Sequence, residues 1–148
     1  MTSHPDKRSF DIHAHMVVPE IVAWAKGHGV VNIEPPAERI SAEARQETQA
    51  WGDKNAAVMR DINLRLAAMD RTGVDVQALS LSSVMSPTCW APPEVALQKQ
   101  RQVNDAIATM MVAHPGRFAG LGEIPLHSPR LAIEEMTRCV NESQKDSV

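Results

Sequence analysis

Phe10-Asp11-Ile12-His13-Ala14-His15 reads as a short strand that brings two imidazoles to one place. Side chains in a strand alternate between faces, so the spacing predicts Asp11, His13 and His15 on one side and Phe10, Ile12 and Ala14 on the other. Two histidines two residues apart on a rigid strand can both reach one metal ion, each through a ring nitrogen. On that reading Asp11 holds a ring N–H or a metal-bound water from behind. A bare His-x-His also fits a solvated pair or chance. Here it sits on an N-terminal strand, after an acidic residue and ahead of an α/β pattern.

Outward from this strand, Pro19 to Gly27 predicts a short helix, stopped by Gly27-His28-Gly29. Val30 to Ile33 suggests a brief strand before Pro35-Pro36. Residues 37–58 are charged and lack clear periodicity, so 17–58 is read as an insertion or lid after the first strand. From Met59 the pattern sharpens, with Met59, Ile62, Leu64, Leu66, Ala67 and Met69 near helical spacing and Gly73 at the stop. Val74 to Leu81 reads as a buried strand. Pro92-Pro93-Glu94 opens a helix to about Ala113, and His114-Pro115-Gly116 breaks it. Arg117 to Ile124 is the third expected strand. Ser128-Pro129 starts a last helix over 129–141, with Leu131, Ile133, Met136 and Val140 expected on its inward face. Strands alternating with helices imply βαβ units, a parallel sheet and an α/β fold.

The totals narrow the function classes. A chain of 148 residues fits one domain, and folding at this size buries roughly 68–70% of the surface that the unfolded chain exposes. Hydrophobic residues make up 43% and charged residues 22%, with a net charge of −3. That balance, with no Lys/Arg run, argues against nucleic acid as a partner. Three Trp, two Phe and no Tyr offer no stacking platform for single strands. No apolar run approaches the roughly 20 residues of a membrane span. The polar start, Met1 to Ser9, lacks the core of a signal peptide, so the expected setting is cytoplasmic and membrane-free. Cys89 and Cys139 match no zinc or redox spacing and read as free thiols.

Several blocks resemble one known family: Asp11-Ile12-His13-Ala14-His15; Met69-Asp70-Arg71-Thr72-Gly73-Val74-Asp75-Val76-Gln77-Ala78-Leu79-Ser80; Asn104-Asp105; His114 to Gly122; and Glu135 to Val140. Together they are similar to the amidohydrolase superfamily, in the branch of aminocarboxymuconate-semialdehyde decarboxylase. The match covers about 9–16 and 59–142. The resemblance implies the N-terminal part, about three β/α units, of a TIM-like barrel of about 250 residues or more. It implies a divalent metal, expected to be zinc, at the C-terminal mouth of the strands, with His13 and His15 as ligands. It also implies a small carboxylate substrate and non-oxidative decarboxylation of an unsaturated or aromatic acid. The further His and Asp ligands and the proton-transferring His of the family have no positions in this chain.

Two imidazoles alone should bind a metal weakly and select poorly, so the chain as given is expected to be inactive. Open edges on the first and third strands invite self-association. Hydrolysis of an amide or lactone is the alternative chemistry, and a non-catalytic remnant or associating subunit is the alternative of another class. Trp90 lines a pocket or packs. Glu123 and His127 end the third strand near the mouth, where ordinary loop hydrogen bonding is the expected role. His4, His28 and His114 show no partner spacing, and Met110-Met111 reads as helix core. Arg39, Arg45 and Arg60 each suit a substrate carboxylate, and nothing in the sequence selects among them. Gly120-Leu121-Gly122 lacks a phosphate-loop pattern, so no nucleotide, flavin or pyridoxal site is indicated.

Overall fold

A computed structural model describes residues 7–28, 41–81 and 90–145. Its elements run β1 (Phe10–Met16), α1 (Pro19–Gly27), α2 (Ala42–Arg60), α3 (Ile62–Thr72), β2 (Val76–Leu81), α4 (Pro93–Ala113), β3 (Phe118–Gly120) and α5 (Pro129–Lys145). The strands form one parallel sheet in the order β1-β2-β3, as expected for consecutive βαβ connections. The fold is therefore α/β. The possible strand at Val30 to Ile33, together with Arg39, His4 and Cys89, lies outside the described residues.

Local chemistry sets most boundaries. Pro19 opens α1, where its missing N–H costs nothing, and Glu20 and Lys26 complement the helix dipole at either end. The Ser41 hydroxyl accepts the Ala44 N–H to start α2. Asp61 ends α2 and caps α3, its Oδ1 accepting the Asn63 and Leu64 N–H groups at 2.8 and 3.3 Å. Gly73 follows α3 with φ +71°, the left-handed conformation that a helix stop needs and that glycine adopts without strain.

One face of the sheet carries the core. Met16, Val18, Ile21, Leu81, Val103 and Ile107 form one buried cluster. Ala14, Met69, Leu79 and Phe118 form a second, and Met110 and Met111 pack against both, as their reading as helix core requires. The approach of β3 to α4 is so close that a Cβ at Gly120 would lie 2.7 Å from Ile107 Cγ2 and 2.9 Å from Met111 Sδ.

Three expectations need correction. The nineteen-residue helix α2 occupies much of the segment read as lacking periodicity, because it is exposed along most of its length and needs no apolar stripe. β3 is three residues long rather than eight. Beyond it the Asn104 amide takes over the strand's hydrogen bonding, accepting the Glu123 N–H at 2.7 Å and donating to the Glu123 carbonyl at 2.9 Å. On α5 only Leu131 of the expected inward residues is buried, while Ile133, Met136 and Val140 are 60%, 50% and 52% exposed. The helix instead turns inward Leu131, Ala132 and the carboxylate of Glu135.

Glu135 is fully buried and saturated with donors. It accepts from Arg138 Nη2 at 2.6 Å and Nε at 2.9 Å, Arg101 Nε at 2.9 Å, Asn104 Nδ2 at 2.8 Å and Cys139 Sγ at 3.4 Å. Burial alone would raise its pKa, but the hydrogen bonds from Arg138, Asn104 and Arg101 outweigh burial and hold it at about 2. The Arg138 and Arg101 guanidinium groups are in turn held charged more firmly than usual, chiefly by their bonds to Glu135.

Candidate metal centre

His13 and His15 occupy the C-terminal half of β1, at the edge from which ligands are bound in parallel α/β sheets. Their Nε2 atoms lie 3.1 Å apart, with the rings edge to face at 87° and their centroids separated by 4.9 Å. Two nitrogens bound at about 2.0–2.1 Å to one ion, with octahedral to tetrahedral angles, lie about 2.8–3.4 Å apart. The pair therefore fits a shared divalent cation, at a separation that one N–H···N hydrogen bond also satisfies. Among the described residues no group of three or more His, Cys, Asp or Glu side chains gathers to hold a metal.

Strand register explains how the rings meet. Residues in register across a sheet point to the same face. Asp11 pairs with Gln77, whereas Ala14, His15 and Met16 pair with Leu79, Ser80 and Leu81. β1 thus takes three steps where β2 takes two, a bulge at Ile12–His13 that inverts the alternation. Asp11 consequently shares the helix-covered face with Ala14 and Met16, and His15 shares the opposite face with Ser80. The expected common face for Asp11 and both histidines does not form, and neither does the common face for Phe10 and Ala14. Asp11 is engaged elsewhere, its Oδ1 accepting the His13 backbone N–H at 3.1 Å and its Oδ2 accepting Gln77 Nε2 at 2.9 Å.

Ser80 is the partner that residue spacing missed. Its Oγ lies 3.0 Å from His15 Nδ1. With Nδ1–H donating to Ser80, Nε2 keeps its lone pair and the ring is held in one orientation, as metal-binding imidazoles require. Only the β1–β2 register could have revealed it. Arg65 was missed as well, because its partners lie on β1 and β2. It is buried at 4% exposure while Leu64 beside it is exposed. Arg65 Nη2 donates to the His15 carbonyl at 2.6 Å and Nη1 to Gln77 Oε1 at 2.9 Å. Burial lowers the guanidinium pKa from its ordinary value, and the charge of Asp11 partly opposes that shift.

The remaining candidates lie apart from the pair. Trp90 stacks on Trp24 with centroids 4.7 Å apart, and Lys99 Nζ sits 5.5 Å from the Trp24 ring. Trp90 therefore packs the start of α4 against α1. His28 caps α1, its Nδ1 lying 2.8 Å from the Trp24 carbonyl oxygen. His127 Nε2 lies 3.2 Å from the Ala91 carbonyl oxygen, the loop role expected of it. His114 ends α4 and packs edge-on against Phe118. Arg45 and Arg60 lie exposed on α2. No helix among the described residues is long and apolar enough to cross a membrane.

Comparison with known proteins places these features. No family model matches the chain. A 2-amino-3-carboxymuconate-6-semialdehyde decarboxylase of Dictyostelium discoideum is 38% identical over 82 residues, covering 55% of this chain and 23% of its own length. A gamma-resorcylate decarboxylase of Rhodococcus jostii is 34% identical over 94 residues, covering 62% of this chain and 28% of its own length. A crystal structure of a dihydroxybenzoic acid decarboxylase from a Polaromonas species, with bound manganese and the inhibitor 2-nitroresorcinol, superposes with a TM-score of 0.66 at 24% identity. That match covers 91% of this chain and 35% of the Polaromonas chain. The chain thus spans about a quarter to a third of the length of these proteins. Over that part of their length it is similar in sequence to the aminocarboxymuconate-semialdehyde and gamma-resorcylate decarboxylases and shares the fold of the solved decarboxylases.

Proposed function

We propose that this chain supplies the metal-holding first strand of a non-oxidative decarboxylase acting on an aromatic or unsaturated carboxylate. The observation that carries this is the convergence of His13 and His15 Nε2 at 3.1 Å, at the C-terminal edge of a parallel sheet. The relatives support the chemistry, being decarboxylases of an aminocarboxymuconate semialdehyde and of gamma-resorcylate, and a similar solved structure is a 2,6-dihydroxybenzoate decarboxylase. Residues 1–148 then form one unit, with 17–58 as a segment inserted after β1.

When bound, a divalent cation supplies Lewis acidity toward a carboxylate or a bound water. The chain's own part is to hold that cation. His13 and His15 each offer a ring nitrogen, and a Ser80 hydroxyl that accepts Nδ1–H leaves the His15 Nε2 lone pair for the cation. Imidazole donors favour zinc over manganese, so zinc is the cation proposed. With only these two ligands among the described residues the hold is weak, so residues 1–148 produced alone are proposed to turn nothing over.

The test is carbon dioxide release from 2,6-dihydroxybenzoate by the protein purified from its native cells, with zinc or manganese added. The expected result is cation-dependent release from the native material, abolished by His15→Ala, and none from residues 1–148 produced alone. Release that persists without the histidine pair contradicts the proposal. Ring opening of an amide or lactone without carbon dioxide would replace it with hydrolysis.

A further inference from the structure

We propose that Arg65 is a positioning residue for the histidine pair, acting on both backbones at once from beneath the sheet. The inference rests on reading His13 and His15 as the metal site. Arg65 reaches from α3 to the helix-covered face of β1, where no ligand would touch it. Its Nη2 bonds the His15 carbonyl directly at 2.6 Å. Its Nη1 bonds Gln77 Oε1 at 2.9 Å, Gln77 Nε2 bonds Asp11 Oδ2 at 2.9 Å, and Asp11 Oδ1 accepts the His13 N–H at 3.1 Å. One guanidinium therefore ends at the backbone of each histidine, by one step to His15 and three to His13.

These contacts bracket the bulge. Asp11 is the last residue in register before it, and Ala14 is the first after it. A regular strand would keep Asp11 on the face of His15. The inverted alternation instead turns Asp11 toward Gln77, and the network fixes that inversion. Hydrophobic packing alone would serve Ala14, Met16 and Met69 without burying a cation. The direct acceptors of Arg65 are an amide oxygen and a backbone carbonyl, neither of them charged. Desolvating a cation against neutral acceptors is costly, but its planar fork fixes the direction of each acceptor. That combination suits orientation rather than stability.

The experiment uses Gln77→Met and Arg65→Lys in the whole chain, both close in volume to the residues replaced. Metal-free protein is examined by NMR for the nuclear Overhauser contact between the His13 and His15 rings, and zinc affinity is measured by calorimetry. Both variants are expected to keep wild-type circular dichroism, to weaken or lose the ring contact, and to bind zinc about tenfold more weakly or worse. If melting temperature falls while ring contact and affinity stay at wild-type values, Arg65 is merely structural and the proposal is overturned. If wild type binds no zinc but the variants lose the ring contact, the metal reading fails and the positioning role stands.

Discussion

Arg65 and Arg138 are both drawn into the protein by hydrogen bonds, but to different kinds of acceptor. Arg138 meets carboxylates, Glu135 in the interior and Asp105 at the surface, and its charge is reinforced. Arg65 meets a side-chain amide and a backbone carbonyl, and burial lowers its pKa from the ordinary value. The first arrangement ties α4 to α5 and, through Asn104, pins the Glu123 backbone beyond β3. The second touches the backbone on either side of the β1 bulge and leads to the histidine rings. The difference separates a region built to hold the fold from one built to aim side chains. Substitutions in the first should move stability without touching metal binding, and those near the second should do the reverse.

The largest effect is expected at Glu135. Glu135→Ala strands Arg101, Arg138 and Asn104 around an empty position and should cost about 3 kcal/mol by urea unfolding, with part of the loss relieved by solvent at the two arginines. Zinc affinity measured on the folded variant should stay at its wild-type value, and a parallel loss would dissolve the distinction between the regions. The acid branch sharpens the same point. Because the folded pKa of Glu135 is about 2 against an ordinary 4.5, its contribution is complete above about pH 4.5 and is lost as pH falls toward 2. At 1.36 kcal/mol per unit this contribution is about 3 kcal/mol. Glu135→Gln should flatten the wild-type stability curve across that window.

Next comes Gly120→Ala, whose added methyl meets the stiff Ile107 side chain at 2.7 Å and should cost about 2 kcal/mol by overpacking β3 on α4. Ser80→Ala is the mirror experiment. It should lower zinc affinity about tenfold while shifting unfolding by only about 1 kcal/mol, and an unchanged affinity would show that Ser80 does not orient His15. The smallest effect on the site is expected at Trp90→Ala, which removes the stack on Trp24 at a cost of about 1 kcal/mol beyond the lost burial and leaves zinc affinity unaltered.

How much of this was legible in the sequence follows the same division. Periodicity and stop signals located β1, α1, α3, β2 and α4, because each buries an apolar face or ends on Gly, Pro or a cap. The α/β class and the His13–His15 pair followed from those elements. α2 was not legible because a solvated helix has no stripe to read. The inward face of α5 was misjudged because the chain buries an acid, Glu135, whose partners on α4 are more than thirty residues away in sequence. At the site, Asp11 was placed on the wrong face because alternation assumes a regular strand, and the bulge is a property of the β1–β2 pair. Ser80, Gln77 and Arg65 escaped notice for the same reason. Their roles exist only once the strands are in register.

The most direct test is calorimetric titration of zinc into the metal-free chain, with His13→Ala and His15→Ala beside it. One weak site per chain is expected in the wild type, abolished by either substitution while circular dichroism is unchanged. Zinc binding of equal stoichiometry and affinity in all three proteins would contradict it.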